Sequence, residues 1–453
     1  MESFDKIAAF TNTVCEQIRW KKAHSPIEEE LKNHILDQRD FYMKQGFTED
    51  DATIKAIEET GDPVMLGAQF DRTHRPKPQW AMLGGTLVLL LISLAIRLFV
   101  FNEEISSETL IKWLFYTALG TALLFTAYFS DFTLIGRFPK TVYFSVILLS
   151  AVVICLSPTL NGRSYYATYF TLLFPLAFAA IVFSMGKKGY KGLIVCQAAF
   201  ILPAFIAAII PSMSGLLLFS ITSLTLLVIA LLKNWFHIRR LYGFLMLFAP
   251  LILFFIVFML NMNPYLLRRF AAVLDPSLEP NGYGYWAIIT REFLAGAGWL
   301  GNESGANLSS FGLTPHSMFL QSDLLLTVLI ALSGWISFAV ILSVFLFFVI
   351  KGIRLCMKQK SGLGLLVSLS VIMTFALQVV SYVFYNLGFQ FTSPLSLPLL
   401  SQGNTAMLVN MFLIGILLSV YRTGSVVSDK AIANTGHSFR LHGRGDRTVS
   451  FKG

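Results

Sequence analysis

Asp323 stands directly before an uninterrupted uncharged run, Leu324-Leu325-Leu326-Thr327-Val328-Leu329-Ile330. An ionisable side chain at the edge of a long apolar segment is costly to keep and is a functional-site hypothesis by default. A carboxylate so placed can take the proton of a substrate hydroxyl as a general base. It can equally cap the helix it precedes, together with Ser322. The residues alone leave both readings open.

A second group is Tyr265-Leu266-Leu267-Arg268-Arg269-Phe270, running through Leu274-Asp275-Pro276 to Gly282-Tyr283-Gly284-Tyr285. Adjacent arginines grip a diphosphate through forked, charge-assisted hydrogen bonds, or else snorkel to a membrane interface. Asn161-Gly162-Arg163-Ser164-Tyr165 forms a third group. Ser393 to Thr405 forms a fourth, in which Pro398, Ser401 and Gly403 interrupt any regular pattern. Irregular backbone at membrane depth is tolerated where it lines a cavity or is buried in protein. Taken singly, the last two groups also read as ordinary turns.

The elements that must position these groups are membrane helices. The 453 residues are 55% hydrophobic and only 13% charged, with a mean hydropathy of +0.65. A soluble chain carries about 25% charged residues, so most of this surface faces something other than water. Apolar stretches long enough to cross a bilayer are expected near 80–101, 111–130, 141–158, 165–185, 192–211, 214–232, 242–262, 319–350, 362–385 and 404–421. The eighth is longer than a bilayer needs, which places its first turns in or above the interface. The fold expected is all-α: about ten transmembrane helices over 80–422, with a large outer loop at 263–318, a small cytoplasmic helical domain at 1–79 and a basic, disordered tail at 423–453.

The loop charges orient this body. Arg137 and Lys140, Lys187, Lys188 and Lys191, Lys233, Arg239 and Arg240, and Lys351, Arg354, Lys358 and Lys360 alternate with loops that are acidic or bare. The positive-inside rule puts the basic loops and both termini in the cytoplasm. Arg268, Arg269 and Arg291 then lie on the disfavoured outer side, where anionic substrate groups would account for them. The net charge of +9 is thus an orientation signal and not a nucleic-acid footprint. The four cysteines share no metal or disulfide spacing. The charged N-terminus has no apolar h-region, so the first span is expected to serve as its own insertion signal.

In the head, Ser25-Pro26-Ile27-Glu28 predicts a helix start with Ser25 as cap, stopping at Gly46. Thr48-Glu49-Asp50-Asp51 predicts another, ending at Gly61, and Asp62-Pro63 a short last one. Glu28 to His34, Gly46, Glu49 with Ala52, and Gly61-Asp62-Pro63 together resemble the permease-prefix domains that precede membrane domains in Gram-positive bacteria. That resemblance implies a regulatory or partner-binding module.

Over residues 80 to 422 the chain resembles the SEDS family of FtsW, RodA and SpoVE proteins. Arg269-Phe270 through Leu274-Asp275-Pro276 with Gly282-Tyr283-Gly284-Tyr285 is similar to its "R-x-x-x-F-L-D-P … G-x-G-Y-Q" stretch. Gly296 to Gly301 is similar to the following glycine-rich segment. Asn161-Gly162-Arg163 matches part of "N-G-x-x-R-W". Asn386-Leu387-Gly388 stands for "N-I-G", and Leu397-Pro398 to Thr405 for "P-L-P-F-V-S-Y-G-G-S-S". The family's catalytic aspartate lies in "H-T-D-F-I-F", eleven positions before a glycine. Asp323 and Gly334 reproduce that interval, whereas aligning His316-Ser317-Met318 puts a methionine there. The family's "Q-P-D-L-G-T" is reduced to Ile210 through Gly215, and both glutamates of "G-E-E-F-G" are missing from Ile330 to Gly334.

The resemblance implies an inverting glycosyltransferase that polymerises a lipid-linked disaccharide-peptide, the peptidoglycan precursor, on the outer face of a bacterial plasma membrane, in shape, division or sporulation. Asp323 would be its base. Arg163, Arg268 and Arg269 would hold the diphosphate, and Pro398, Ser401 and Gly403 would line the cavity. It also implies membrane lipids and a class B penicillin-binding transpeptidase as partners. A divalent cation at the diphosphate is compatible with it, but no acidic ligand cluster is found. Two alternatives remain: a non-catalytic relative that binds the precursor or scaffolds a wall-synthesis complex, favoured by the missing acidic residues, and a small-molecule transporter.

Overall fold

The computed structural model describes residues 2–75, 78–100, 107–160, 163–164, 166–210, 212–260, 264–301, 323–401 and 403–424. Glu103, Glu104, the Asn161-Gly162 pair, His316 to Met318 and the basic tail lie outside them. The chain divides into two compact units, one built on Met1–Pro78 and the other on Gln79–Met357 with Gly362–Val420.

Caps and glycines delimit the helices of the first unit: α1 (Glu2–Glu16), α2 (His24–Lys44), α3 (Glu49–Thr60) and α4 (Pro63–His74). Thr48 Oγ1 accepts from Asp51 N and Asp62 Oδ1 accepts from Val64 N, so α3 and α4 begin at the expected caps. Gly61 closes α3 at φ +97. Ser25, however, is not a cap. The helix starts at His24, Ala23 precedes it without a side-chain bond, and Ser25 lies in the first turn. Ile7, Phe10, Val14, Ile27, Leu31, Ile35, Ala52 and Ala56 form the core. Gly67 brings α4 against α1, where a Cβ would stand 2.6 Å from the Val14 carbonyl.

The second unit continues with α5 (Trp80–Ala95), α6 (Ser107–Phe129), α7 (Thr133–Arg137), α8 (Pro139–Leu156), α9 (Ala167–Phe170), α10 (Phe174–Ser184), α11 (Gly189–Ile209), α12 (Met213–Leu232) and α13 (Arg240–Leu260). After α14 (Pro264–Leu274) and α15 (Tyr285–Ala295) come α16 (Leu325–Ser333), α17 (Trp335–Met357), α18 (Gly362–Asn386) and α19 (Asn404–Thr423). Among the described residues nine helices are long and apolar enough to cross a membrane. The remaining expected span, 242–262, falls on α13, whose described apolar part is Arg240–Leu253. A two-residue antiparallel ladder, β1 (Thr159–Leu160) with β2 (Arg163–Ser164), departs from the helical pattern.

The helices differ in how much protein surrounds them. Only 11% of the Pro139–Leu156 window is buried, against 78% for Asn404–Thr423 and 72% for both Ala167–Ser184 and Gly362–Asn386, the last two of which pack on each other. The first presents apolar side chains outward, as a lipid-facing helix must, and the other three are enclosed by protein. Phe174 and Phe178 pack edge-on against Phe219, which stacks on Phe200. Small residues let helix backbones meet: a Cβ on Gly415 of α19 would lie 2.4 Å from the Leu124 carbonyl of α6. Within α18 and α19 the buried amides of Gln378 and Asn410 bond each other reciprocally at 3.2 and 3.4 Å, which fixes their register.

The stretch expected as one span at 319–350 is broken. Gly334 adopts φ +83, separating α16 from the span proper, α17. A Cβ at Gly334 would sit 2.4 Å from the Trp299 carbonyl, so only glycine lets the Gly298 to Gly301 segment approach. Trp335 N and Ile336 N then donate to the carbonyls of Gly298 and Trp299, capping α17 from another part of the chain.

Candidate functional site

Asp323 is half-buried and left-handed, at φ +53. Its side chain does not cap α16. The N-cap position belongs to Leu324, which provides no side-chain bond. Asp323 Oδ1 instead accepts from the Tyr382 hydroxyl at 2.9 Å. The helix is capped from α18: Tyr382 Oη accepts from Leu325 N at 3.3 Å and Asn386 Oδ1 from Thr327 N at 3.1 Å. Thr327 Oγ1 returns a bond to the Asn386 carbonyl at 2.9 Å, and Asn386 Nδ2 donates to the Asp323 carbonyl at 3.4 Å. Tyr382 and Asn386 are one helical turn apart, so both reach the same helix end. Among the described residues, then, α18 and not the Asp323 side chain supplies the cap of α16; Ser322, the other half of the expected cap, lies outside them.

Burial pushes the Asp323 carboxyl up to about 7, and the Tyr382 hydrogen bond acts against that shift. Among the described residues Oδ2 has no hydrogen-bond partner. A carboxyl pushed up toward neutrality and held, among the described residues, by one oxygen alone is a candidate proton acceptor.

The loop after α18, residues 387–403, crosses the same end of the body. Gly388, at φ +85, starts it. Arg291 Nη2 donates to both the Gly388 and Val273 carbonyls at 3.2 Å, and its guanidinium lies 5.4 Å from the Phe389 ring centre. Arg291 is thus a strut that joins α14, α15 and this loop, which accounts for its position without a substrate. Ser214 Oγ donates to the Ser393 carbonyl, tying in the start of α12. Pro398 and Ser401 are buried, and Ser401 Oγ donates to the Leu397 carbonyl at 3.2 Å. A Cβ on Gly403 would lie 3.2 Å from the Tyr169 hydroxyl oxygen. From Leu395 to Ser401 this loop is protein-enclosed, the condition under which irregular structure is tolerated in a membrane.

The arginine pair divides. Arg268 is exposed, whereas Arg269 is half-buried with its guanidinium 5.7 Å from the Tyr283 ring centre. Arg163 pairs through its backbone with Leu160. Asp275 Oδ1 accepts from Ser277 N and Oγ, so it caps a turn. Among the described residues no hydrogen bond or ion pair joins Asp323 to Arg268 or Arg269, and no group of three His, Cys, Asp or Glu side chains is placed to hold a metal ion. A lateral groove of about 680 Å³ lies between the Ala297 to Trp299 segment and α17, lined by Trp299, Trp335, Phe338, Leu342 and Leu346. Tyr382 and Thr327 escaped the reading of the sequence. The available signal was a tyrosine and an asparagine four positions apart near the end of an otherwise apolar span.

Relatives and solved structures agree with this architecture. A protein of Trichlorobacter lovleyi named "Probable peptidoglycan glycosyltransferase FtsW" is 30% identical over 167 residues, 37% of this chain and 43% of the relative. The "Stage V sporulation protein E" of Bacillus subtilis is 26% identical over 159 residues, 35% of this chain and 43% of the relative. The chain thus spans less than half the length of these two curated relatives. Among solved structures, a chain from a peptidoglycan synthase complex superposes with a TM-score of 0.61 at 16% identity, covering 76% of this chain and 98% of that one. The crystal structure of the Thermus thermophilus rod shape determining protein RodA gives 0.52 at 13% identity, covering 77% and 97%. At such identities the likeness shows the fold. The family described as "Cell cycle protein", FtsW/RodA/SpoVE, matches residues 78–425. This multi-pass membrane protein therefore belongs to the FtsW/RodA/SpoVE family.

Proposed function

We propose that the chain is an inverting glycosyltransferase that polymerises a lipid-linked disaccharide-peptide, the peptidoglycan precursor. The observation that carries this reading is the Asp323 carboxyl, held at Oδ1 by Tyr382 and, among the described residues, without a partner at Oδ2, at the start of a helix capped by α18. In the reaction Asp323 takes the proton of an acceptor sugar hydroxyl. The freed oxygen attacks the anomeric carbon of the donor, the bond to the lipid diphosphate breaks, and configuration inverts. Arg269, with Arg268 and Arg163, would balance the charge that builds on the leaving diphosphate. A divalent cation would supply counter-charge to that diphosphate. Pro398, Ser401 and Gly403 belong to the loop that walls the site, and the groove beside Trp299 and Trp335 suits a polyprenyl chain.

The basic loops support cytoplasmic termini and a site on the outer face, where a penicillin-binding transpeptidase would receive the product. The head is read as a cytoplasmic regulatory or partner-binding module. Its partner chemistry is not written in its core residues.

The test is polymerisation of purified lipid-linked precursor by the full-length protein, with Asp323→Ala alongside. Chains from the wild type and none from the variant are expected. A second reading, a non-catalytic precursor-binding or scaffolding relative, draws on the two glutamates absent from Ile330 to Gly334. It prevails if neither protein makes chains, with a transpeptidase added, and Asp323→Ala still supports the cell. Solute uptake into proteoliposomes would displace both readings.

A further inference from the structure

Arg97 is a cation inside the first span, only 4% exposed. It sits on a π-helical turn, Ile96–Val100, a widened backbone form that recurs at functional sites. Among the described residues its hydrogen bonds leave from Nη1: to the Ser93 carbonyl at 3.1 Å, to Ser93 Oγ at 2.6 Å, and to the Leu400 carbonyl at 3.5 Å. Among the described residues no carboxylate pairs with it, and no acceptor meets Nε or Nη2. The Nε–Nη2 edge is the one that forks onto a planar or tetrahedral oxyanion. The guanidinium carbon lies 4.8 Å from the ring centre of Trp113, which is itself 5% exposed. Trp113 Nε1 is buried with no hydrogen-bond partner among the described residues.

A buried charge and a buried indole N–H in apolar surroundings are both costly unless met by an acceptor. Snorkelling does not explain this arginine, because a snorkelling head is exposed and this one is enclosed. A tether for Leu400 alone would need one neutral donor, not a guanidinium beside an unpaired indole. The site is rich in donors and lacks negative charge. Arg97 stands two residues from the end of the span Trp80–Phe99, at the level where a bilayer places its headgroups, and the anions concentrated there are chiefly those carried on lipids, whose common group is phosphate. We propose that Arg97 and Trp113 form a binding site for a phosphate-class oxyanion, taken on the Nε–Nη2 edge and coupled through Leu400 to the loop that holds Ser401 and Gly403. The proposed site uses none of Arg163, Arg268 and Arg269 and does not require Asp323 to be a catalytic base.

The experiment is equilibrium binding to the full-length protein in nanodiscs of zwitterionic lipid, with three probes: a short polyprenyl diphosphate, the matching polyprenol, and inorganic pyrophosphate. The diphosphate is expected to bind at least about 10-fold more tightly than the polyprenol. In an Arg163→Gln/Arg268→Gln/Arg269→Gln background, which silences the other proposed diphosphate contacts and in which all the comparisons are made, Arg97→Met should remove that preference. Arg97→Lys should keep part of it, since a point charge replaces the fork, and Trp113→Phe should weaken binding about 3-fold through the lost N–H. Pyrophosphate that competes at equal affinity marks a free anion as the ligand, and failure to compete marks a lipid headgroup. Asp323→Asn should leave every binding constant unchanged, so binding without polymerisation keeps this inference and removes the proposed reaction. Unchanged diphosphate preference in Arg97→Met overturns the site. So does binding that appears only in Glu103→Gln/Glu104→Gln, which would give the arginine an internal partner. If Arg97→Met is not monodisperse, wild-type affinity in both Arg97→Lys and Trp113→Phe overturns it instead.

Discussion

Replacing Tyr382 by phenylalanine removes one hydroxyl and leaves a fully buried ring in place, so it opens no cavity. The hydroxyl donates to Asp323 Oδ1 at 2.9 Å and accepts from Leu325 N at 3.3 Å. A hydrogen bond to an ionised group contributes about 1.5–3 kcal/mol, and one pKa unit corresponds to about 1.36 kcal/mol, so the Asp323 pKa should climb about 1–2 units. Starting from about 7, the ionised fraction at neutral pH drops from about one half to between about one tenth and one hundredth. If Asp323 acts as the base, polymerisation at pH 7 falls about 5- to 50-fold and recovers toward the wild-type rate near pH 9. The assay is chain formation from lipid-linked precursor across about pH 6 to 9.5, which brackets the wild-type and the shifted pKa, with wild type and variant matched for folded protein. The orphaned Leu325 N–H adds a pH-independent loss of stability of about 1–3 kcal/mol, read as a lower Tm. An equal loss of rate at every pH would refute the reasoning and reduce Tyr382 to a cap for α16. No loss at any pH would remove Asp323 from the chemistry.

Other perturbations test the same frame. Asn386→Leu strips the cap from Thr327 N and the bond to the Asp323 carbonyl, and should lower both Tm and polymerisation at all pH values, unlike Tyr382→Phe. Gly334→Ala forces a side chain into φ +83 and against the Trp299 carbonyl; a cost of at least about 2 kcal/mol is expected from the left-handed backbone and the clash together, read by thermal unfolding. Arg269→Gln should weaken precursor use more than Arg268→Gln, since only Arg269 is held against an aromatic ring, and equal effects would assign both to the interface. Because burial raises Asp323, the folded state binds its proton more tightly than the unfolded chain. Its favourable contribution is complete below about pH 4 and is lost as pH rises through about 7. Asp323→Asn should therefore gain stability relative to wild type across that window and hold the gain above it, by on the order of 2 kcal/mol after discounting for partial exposure.

What the sequence discloses, and what it hides, follows from the range of the forces involved. Burial in lipid is decided residue by residue, so hydropathy recovered most spans between Trp80 and Thr423 to within a few residues, the stretch at 319–350 being the exception. Local caps such as Thr48 and Asp62 act on the amide groups that follow them, and they were legible for that reason. Ser25 shows the limit, because the helix found one more turn residue at His24 and needed no cap. The Asp323 region shows a deeper one. From 319 to 350 the residues give one continuous apolar signal, and Gly334 is the sole local hint that it divides. The partners that make the division stable lie elsewhere: Gly298 and Trp299 cap α17, and Tyr382 and Asn386, more than fifty positions downstream, cap α16. In water an uncapped helix end can bond solvent, so such partners are optional there. In a membrane each orphan amide must find one in the protein. Arg97 was hidden by the same arithmetic, since one charge barely moves the mean hydropathy of a twenty-residue span, yet it dominates the electrostatics of its surroundings. In this chain, then, the polar side chains inside apolar helices mark where distant segments meet, and Tyr382, Asn386 and Arg97 each touch the one end of the body where the irregular loop crosses.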